Sequence, residues 1–282
     1  MKKLTIVVLT INGKKNLEIL FRSLKQQTFK NFELIVSDNG STDGTLVWLK
    51  KNKIKFIANG RNIGFSSGNN VALKRVKTKY CAVFNDDLKL KPNVLDLLIN
   101  FLEKNPKIAA VQPTILNWDG TKVQSTGLIT TFGAFIAERD KGKSLVDFKN
   151  VPEEILATHG ACSVYRTEIV RRLGFFDERF NPIYNEDADL GFRIRASGFK
   201  NYWYPQAVIY HMGGFTVKKM GYPIKLSFHR NRYTLMEKHW KGSMWLKFLL
   251  WFPVVTIFYS FRKPDRAYFV ATYEFIRKKL GH

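Results

Sequence analysis

Short polar side chains gather at three places early in this 282-residue chain, each directly after an apolar, β-prone run. Thr10 and Asn12 close the run 4–10, Asp38 and Asn39 follow 32–37, and Asn85, Asp86 and Asp87 follow 80–84. Paired oxygen ligands at a strand end suit a hard divalent cation such as Mg²⁺ or Mn²⁺, an ion that usually arrives with phosphate. A carboxylate at a neighbouring strand end can accept from a nucleobase N–H. The plainer alternative is that Asn-Asp-Asp closes a strand as an ordinary turn. Two further groups could act. Glu186, Asp187 and Asp189 open a helical pattern, where they either complement the helix dipole or hold a carboxylate at a cleft as general base. His211, before Met212, Gly213 and Gly214, is a metal ligand, a phosphate donor or a satisfied structural histidine.

The elements that must position these residues follow one rhythm. Strand, polar loop and helix recur four times: strand 4–10 with helix 16–27; strand 32–37 with a helix after 38–45; strand 53–58 with a helix from Ser66 or Ser67 to 76; strand 80–84 with helix 92–104. The repeat predicts a Rossmann-like α/β/α sandwich with right-handed crossovers. Such a sheet brings the carboxyl ends of its parallel strands to one ligand-binding edge. No G-x-G-x-x-G follows the first strand and no Walker lysine loop occurs, which argues against a standard dinucleotide site or P-loop. Residues 109–152 read as short mixed or antiparallel strands shaping an acceptor side, with 140–154 charged and mobile. A strand at 160–165 and a short helix at 167–173 follow. The acidic helix then starts at 187, with Leu190, Phe192 and Ile194 inward and Arg193 and Arg195 outward. Two short strands, 201–204 and 207–210, lead to His211.

Net charge is +23, which attracts nucleic acid, anionic lipid or a polyanionic substrate. From His211 onward there are 14 Lys and Arg against 3 Asp and Glu, a net +11 mixed with aromatics. No nucleic-acid motif supports the first partner. The tail opens with a basic helix, 224–240. Residues 245–261 then carry one charge in 17 residues and contain Pro253. A spanning helix needs about 20 apolar residues. We therefore expect this segment to lie in an anionic membrane interface; the alternative is an arm packed on the core or on a second copy in a homo-oligomer. Cys81 and Cys162 sit in apolar surroundings and read as reduced core thiols of a cytoplasmic protein. The apolar run after Met1-Lys2-Lys3 reads as the first strand, not a secretion signal.

Taken in order, the motifs resemble those of inverting family 2 glycosyltransferases of the GT-A fold, most closely the rhamnosyltransferase-like branch. They are Val8-Leu9-Thr10-Ile11-Asn12; Val36-Ser37-Asp38-Asn39-Gly40 through Thr45; Asn62-Ile63-Gly64-Phe65 with Gly68-Asn69-Asn70; Phe84-Asn85-Asp86-Asp87; Gly174-Phe175-Phe176-Asp177-Glu178; Asn185-Glu186-Asp187-Ala188-Asp189-Leu190; and His211-Met212-Gly213-Gly214. Each is weak singly; seven in family order over 4–215 make a strong signal. The resemblance implies a GT-A domain at 1–215, with a nucleotide-sugar half (1–110) and an acceptor and base half (111–215), followed by a basic helical tail (216–282). It implies that Asp38 contacts the donor's base, that Thr10, Asn12 and Asn62 line the nucleoside pocket, and that Asn39, Gly64, Asn69 and Asp86 belong to the donor site. Asn85 and Asp87 take the D-x-D place, with Asp87 the principal ligand of Mg²⁺ or Mn²⁺ and His211 an extra metal or diphosphate contact. Asp187, with Glu186, takes the place of the base. Asn85 departs from the usual aspartate. No Q-x-x-R-W follows the base helix, which argues against a processive synthase. The implied partners are a nucleotide-diphosphate sugar, with dTDP-rhamnose one candidate, a glycan or polyprenyl-diphosphate-linked acceptor, and the inner face of the cell membrane. The rivals are a polyprenyl-phosphate sugar synthase, a nucleotidyltransferase and a non-enzymatic basic binding module.

Overall fold

The computed structural model describes residues 2–131, 135–148, 150–213, 215–262 and 264–281. Gly214, second of the glycine pair after Met212, lies outside the described residues, as do 132–134 and 149. The first half runs β1 (Leu4–Thr10), α1 (Lys14–Lys25), β2 (Phe32–Asp38), α2 (Thr45–Lys51), β3 (Phe56–Ala58), α3 (Phe65–Leu73), β4 (Tyr80–Asn85), β5 (Leu88–Leu90) and α4 (Val94–Lys104). The second half adds β6 (Ile108–Asn117), β7 (Val123–Ser125), β8 (Leu128–Thr130), β9 (Ile136–Glu138), β10 (Glu153–Ile155), β11 (Cys162–Arg166), α5 (Thr167–Arg172), α6 (Glu186–Ala196) and β12 (Lys200–His211).

One mixed sheet joins the two halves in the order β10-β12-β6-β11-β4-β1-β2-β3. β1 is parallel to both β2 and β4, whereas β11 runs antiparallel to β4 and β6. β1 is buried on both faces, which is why it reads as a continuous apolar run. Leu4, Ile6 and Val8 enter a core with α1, α2 and α4. Val7 points the other way, to α3, α5 and α6. The result is the expected α/β/α sandwich. Cys81 and Cys162 are buried free thiols, and burial pushes Cys81 up to about 12.

Three local expectations change. Residues 201–210 form one strand with a register shift between Tyr204 and Val208, where Pro205 cannot donate to the ladder. The acceptor side contains a long buried strand, β6, in place of short pieces alone. Arg193 turns inward: its Nε lies 2.7 Å from Asp189 Oδ2, and its guanidinium donates to Leu173 O and Phe175 O.

The tail is helical: α7 (Phe215–His239), α8 (Ser243–Ile257) and α9 (Arg266–Lys279). α7 breaks at Gly221, whose φ of 61° and ψ of −141° suit only glycine, and restarts with Pro223 near its first turn. Tyr233, Met236 and Trp240 of α7 bury against Phe248 of α8 and Ala271 of α9. The other side of α8 leaves Leu246, Leu249, Leu250, Val254 and Ile257 exposed.

Candidate active site

Parallel pairing makes the three polar strand ends converge. The register sets Thr10 opposite Asp38 and Leu9 opposite Asn85. They open on a cavity of about 1140 Å³. Thr10, Asn39, Asn62, Gly64, Asn85, Asp86, Asp87, Asp187 and His211 line it, whereas Asn12, Asp38, Asn69 and Glu186 stand behind or beside its wall.

Asp38 is fully buried at the end of β2. Its Oδ1 accepts from Gly40 N at 3.0 Å and Ser41 N at 2.9 Å, while Oδ2 has no partner among the described residues. Asn12 is exposed and ties down the 38–45 loop: its Oδ1 accepts from Thr42 N at 2.7 Å, and its N–H donates to Ser41 Oγ at 2.8 Å. Asn39 Nδ2 donates to Asn62 Oδ1 (3.2 Å) and Gly64 O (3.1 Å), joining the second and third strand-end loops. Asn69 is buried inside α3, donating to Phe65 O. The N-terminus of α3 is not capped by its own serines. Asn181 Oδ1 accepts from Ser66 N at 3.1 Å and Ser67 N at 3.4 Å. A Cβ on Gly64 would fall 2.3 Å from that oxygen, so this approach requires glycine.

At the end of β4, Asp86 accepts from Thr10 Oγ1 at 2.5 Å and from Asn16 Nδ2 at 3.5 Å. Burial, opposed by the Thr10 bond and reinforced by the charge of Asp87, pushes its carboxyl up to about 7. Asp87 behaves in the opposite way. Its Oδ1 lies 3.1 Å from His211 Nε2 and its Oδ2 accepts from Gly213 N at 3.2 Å. Against the cost of burial, the His211 bond and charge hold Asp87 below its ordinary value. Asn85 Nδ2 is 3.4 Å from the same imidazole nitrogen.

These residues fit a divalent cation of the nucleotide-binding kind. Among the described residues no cluster of three His, Cys, Asp or Glu side chains is placed to hold an ion alone. The set present is the Asp87 carboxylate, His211 Nε2 and the Asn85 amide. Mg²⁺ and Mn²⁺ sites of this kind take few protein ligands, completed by water and substrate phosphate. His211 Nδ1 lies 3.0 Å from Gln124 Oε1, an outer hydrogen bond that turns Nε2 toward Asp87.

Asp187, half-buried in the first turn of α6, lines the same cavity. Its Oδ2 accepts from Gly160 N at 2.9 Å and its Oδ1 from Ala188 N at 2.8 Å. Burial raises its carboxyl above the ordinary aspartate value, against those two backbone bonds. Glu186 turns into the interior, where burial and then the charge of Asp187 raise it well above the usual range. Its Oε2 has no partner among the described residues. Tyr184 and Asn185, just before, both have left-handed backbone, φ 85° and 69°.

Several wall residues carried no sequence signal of their own. His159 accepts from Ala161 N at its Nδ1 (3.1 Å) and faces Glu138 Oε1 with its Nε2 (3.2 Å); both residues line the cavity. The His159-Gly160 pair opening a strand could have marked the first; nothing marked Glu138 or Gln124. Tyr184, Lys225 and Phe228 extend the wall into the tail.

A mixed α/β sheet with acidic and amide groups at the ends of its parallel strands, and a further carboxylate on the same cavity, is the architecture of the GT-A fold. The family model described as "Glycosyl transferase family 2" matches residues 5–174, and the chain belongs to that family. It is 23% identical over 272 residues to the N-acetylglucosaminyl-diphospho-decaprenol L-rhamnosyltransferase of Mycobacterium tuberculosis, covering 88% of each chain. It is 26% identical over 230 residues to an uncharacterised protein of Sinorhizobium fredii, covering 77% of this chain and only a quarter (25%) of that one. Among solved structures, GalNAc-T7 with UDP, GalNAc and Mn²⁺ is similar at a TM-score of 0.67 and 15% identity, over 84% of this chain and 48% of that one. The chain is thus a glycosyltransferase that takes its sugar from a nucleotide sugar. This class sets aside the nucleotidyltransferase and the non-enzymatic binding module.

Proposed function

We propose that the enzyme transfers a rhamnosyl group from a dTDP-linked donor to a hydroxyl of an acceptor sugar carried on a polyprenyl diphosphate, with inversion at the anomeric carbon. The observation that carries the mechanism is that Asp87 and Asp187, far apart in the chain, line one cavity. The rhamnosyl donor and lipid-linked acceptor are supported by the mycobacterial relative, aligned across most of both chains.

Asp38 Oδ2 is a buried acceptor without a partner among the described residues, behind the cavity wall; it would take a nucleobase N–H only if the 38–45 loop gives way to the base. Thr10, Asn62 and Gly64 line the nucleoside end, with Asn39 holding the two loops together. Asp87 and His211, with Asn85 through its carbonyl, would hold Mg²⁺ or Mn²⁺. When bound, that ion supplies Lewis-acid stabilisation of the charge on the leaving diphosphate. Asp187 takes the proton of the acceptor hydroxyl as that oxygen bonds to the anomeric carbon. The bond from that carbon to the diphosphate oxygen breaks on the far face, and its electron pair leaves with the nucleotide. A carboxylate raised above the ordinary aspartate value by burial suits this work, and the Gly160 N–H fixes its orientation.

The tail would bring the enzyme to its acceptor at the inner face of the membrane. The 19-residue stretch Ser243–Phe261 is apolar enough to cross a bilayer by length and composition. We read it as interfacial, because Phe248 and Phe252 pack inward on the aromatic cluster while Leu246, Leu249, Leu250, Val254 and Ile257 form one outward stripe. Each outward aliphatic stands to gain roughly 1.5–3 kcal/mol on full burial.

The test is a panel of nucleotide sugars with Mg²⁺ or Mn²⁺, scored for protection against unfolding and for acceptor-dependent release of nucleoside diphosphate. dTDP-rhamnose is expected to protect most and to release dTDP only with a polyprenyl-diphosphate sugar present. Greater protection and turnover with another donor would replace the sugar assignment. Protection by none would sink the reading.

A further inference from the structure

The segment that carries Asp187 is held from outside the α/β core. Left-handed backbone at two successive non-glycine residues, Tyr184 and Asn185, persists only where surrounding contacts over-determine it. One face of α7 provides those contacts. Asn231 is buried, and its Nδ2 donates to Phe180 O at 2.6 Å, Ile183 O at 2.9 Å and Tyr184 O at 3.1 Å, gathering the loop onto one amide. One turn later, Leu235 packs with Phe180 and Ala188. Another turn on, Lys238 Nζ lies 2.8 Å from Asp177 Oδ2 and 2.6 Å from Asp189 Oδ1. His239 Nε2 lies 2.7 Å from that same Asp189 oxygen, with its ring stacked on Phe192. Asp189 is fully buried on α6, two residues from Asp187.

Positions 231, 235, 238 and 239 share one helical stripe. The stripe of Tyr233, Met236 and Trp240 faces the aromatic cluster of α8 and α9 instead. α7 is therefore two-sided, gripping the base segment with one side and the tail with the other.

We propose that Asn231, Lys238 and His239 are positioning residues of the transfer reaction: α7 sets the backbone from which Asp187 reaches the acceptor hydroxyl. The tail is then part of the transfer site as well as an anchor. This rests on the reading of Asp187 as base. The bonds from Asn231 end on the carbonyls that lead into α6, and those from Lys238 and His239 end on the buried carboxylate of its first turn. Losing them frees a segment in which two successive non-glycine residues hold left-handed backbone. Misplacing a reacting group by about 1 Å costs up to about 10²-fold in rate.

The test uses the full chain with dTDP-rhamnose and a farnesyl-diphosphate N-acetylglucosamine as probes. Asn231→Ala and His239→Ala are expected to lower kcat by roughly 10- to 100-fold. Donor KM and donor-induced thermal protection should stay within about twofold. His239→Gln keeps an N–H for Asp189 and should recover most of the rate. Variants with a lowered Tm but kcat within about twofold of wild type, assayed well below that Tm, would make α7 a packing element only and overturn the proposal. So would a raised donor KM with kcat intact. Should Asn231→Ala fail to fold, the two His239 variants decide alone. Asp187→Asn runs in parallel. Wild-type turnover there removes the base reading whatever α7 does; loss there with normal α7 variants removes only the positioning claim.

Discussion

The two walls of the cavity are built by opposite means. The donor wall comes from the ends of β1, β2 and β4, neighbours in one parallel ladder, so main-chain register alone brings Thr10 to Asp38 and Leu9 to Asn85. The base wall hangs on a left-handed turn at Tyr184 and Asn185, tied to Gly160 on one side and to α7 on the other. A ladder of backbone bonds tolerates the loss of any one side chain; a strained loop depends on each of its ties. Substitutions on the donor wall should therefore change binding, and those on the base wall should change turnover.

The sharpest way to break that contrast is Asp187→Asn. It should cost about 10²–10⁴ in kcat while leaving donor protection unchanged. The sign of the pH dependence follows from burial. The base acts ionised, and burial raises its carboxyl above the ordinary aspartate value. Activity should therefore fall as pH drops through that raised value, at higher pH than an unperturbed aspartate would give. A kcat/KM profile checks this; a rate flat down to the ordinary aspartate range would remove Asp187 as base.

The metal-holding group at the donor wall can be tested through Gln124 of β7, whose Oε1 lies 3.0 Å from His211 Nδ1. Gln124→Ala frees the imidazole to turn, and outer-shell losses of this kind typically weaken metal affinity 10- to 100-fold. Mn²⁺ titration by thermal shift would show it as a displaced midpoint, with kcat recovering at saturating metal. A kcat deficit that excess Mn²⁺ does not repair would mean that the donor wall, too, sets turnover.

How much of each wall could be read from the chain follows the same division. Three apolar runs ending in Thr10, Asp38 and Asn85-Asp86-Asp87 were legible because strand and polar end are contiguous in sequence. The sandwich and the helical tail were legible for the same local reason. The misreadings were also local. Pro205 looked like a strand break and is a bulge, and Ser66 and Ser67 looked like caps where the cap comes from Asn181, about 115 residues on. Arg193 looked outward because helical periodicity cannot see Asp189 buried beneath it. Gly160, Asn231, Lys238 and His239 meet the base segment only through tertiary packing, so no window of sequence holds them together with Asp187.

Gly191 gives a smaller test of the base wall. A Cβ there would sit 2.1 Å from the Cβ and 2.7 Å from the Cα of Ala157, so α6 can lie this close only over glycine. Gly191→Ala must push α6 off the 156–157 backbone, at a cost of roughly 1–3 kcal/mol by urea unfolding. Because α6 carries Asp187, kcat should fall further than donor affinity. Equal losses in both would mean that the walls move as one body.

The smallest effect separates contact from support within the donor wall. The family resemblance put Asn12 in the nucleoside pocket, yet its side chain bonds Thr42 N and its backbone Ser41 Oγ, beside the cavity. Its φ of 52° is left-handed, so Asn12→Gly keeps the backbone conformation and removes only the side-chain bond. One such hydrogen bond is worth about 0.5–1.5 kcal/mol net. If Asn12 acts by holding the 38–45 loop over Asp38, donor affinity should weaken by roughly two- to tenfold, and by the same factor for uridine, thymidine and guanosine diphosphates. A loss confined to one base would mean that Asn12 reaches the nucleobase itself, and that on this wall side chains, as well as ladder register, decide what binds.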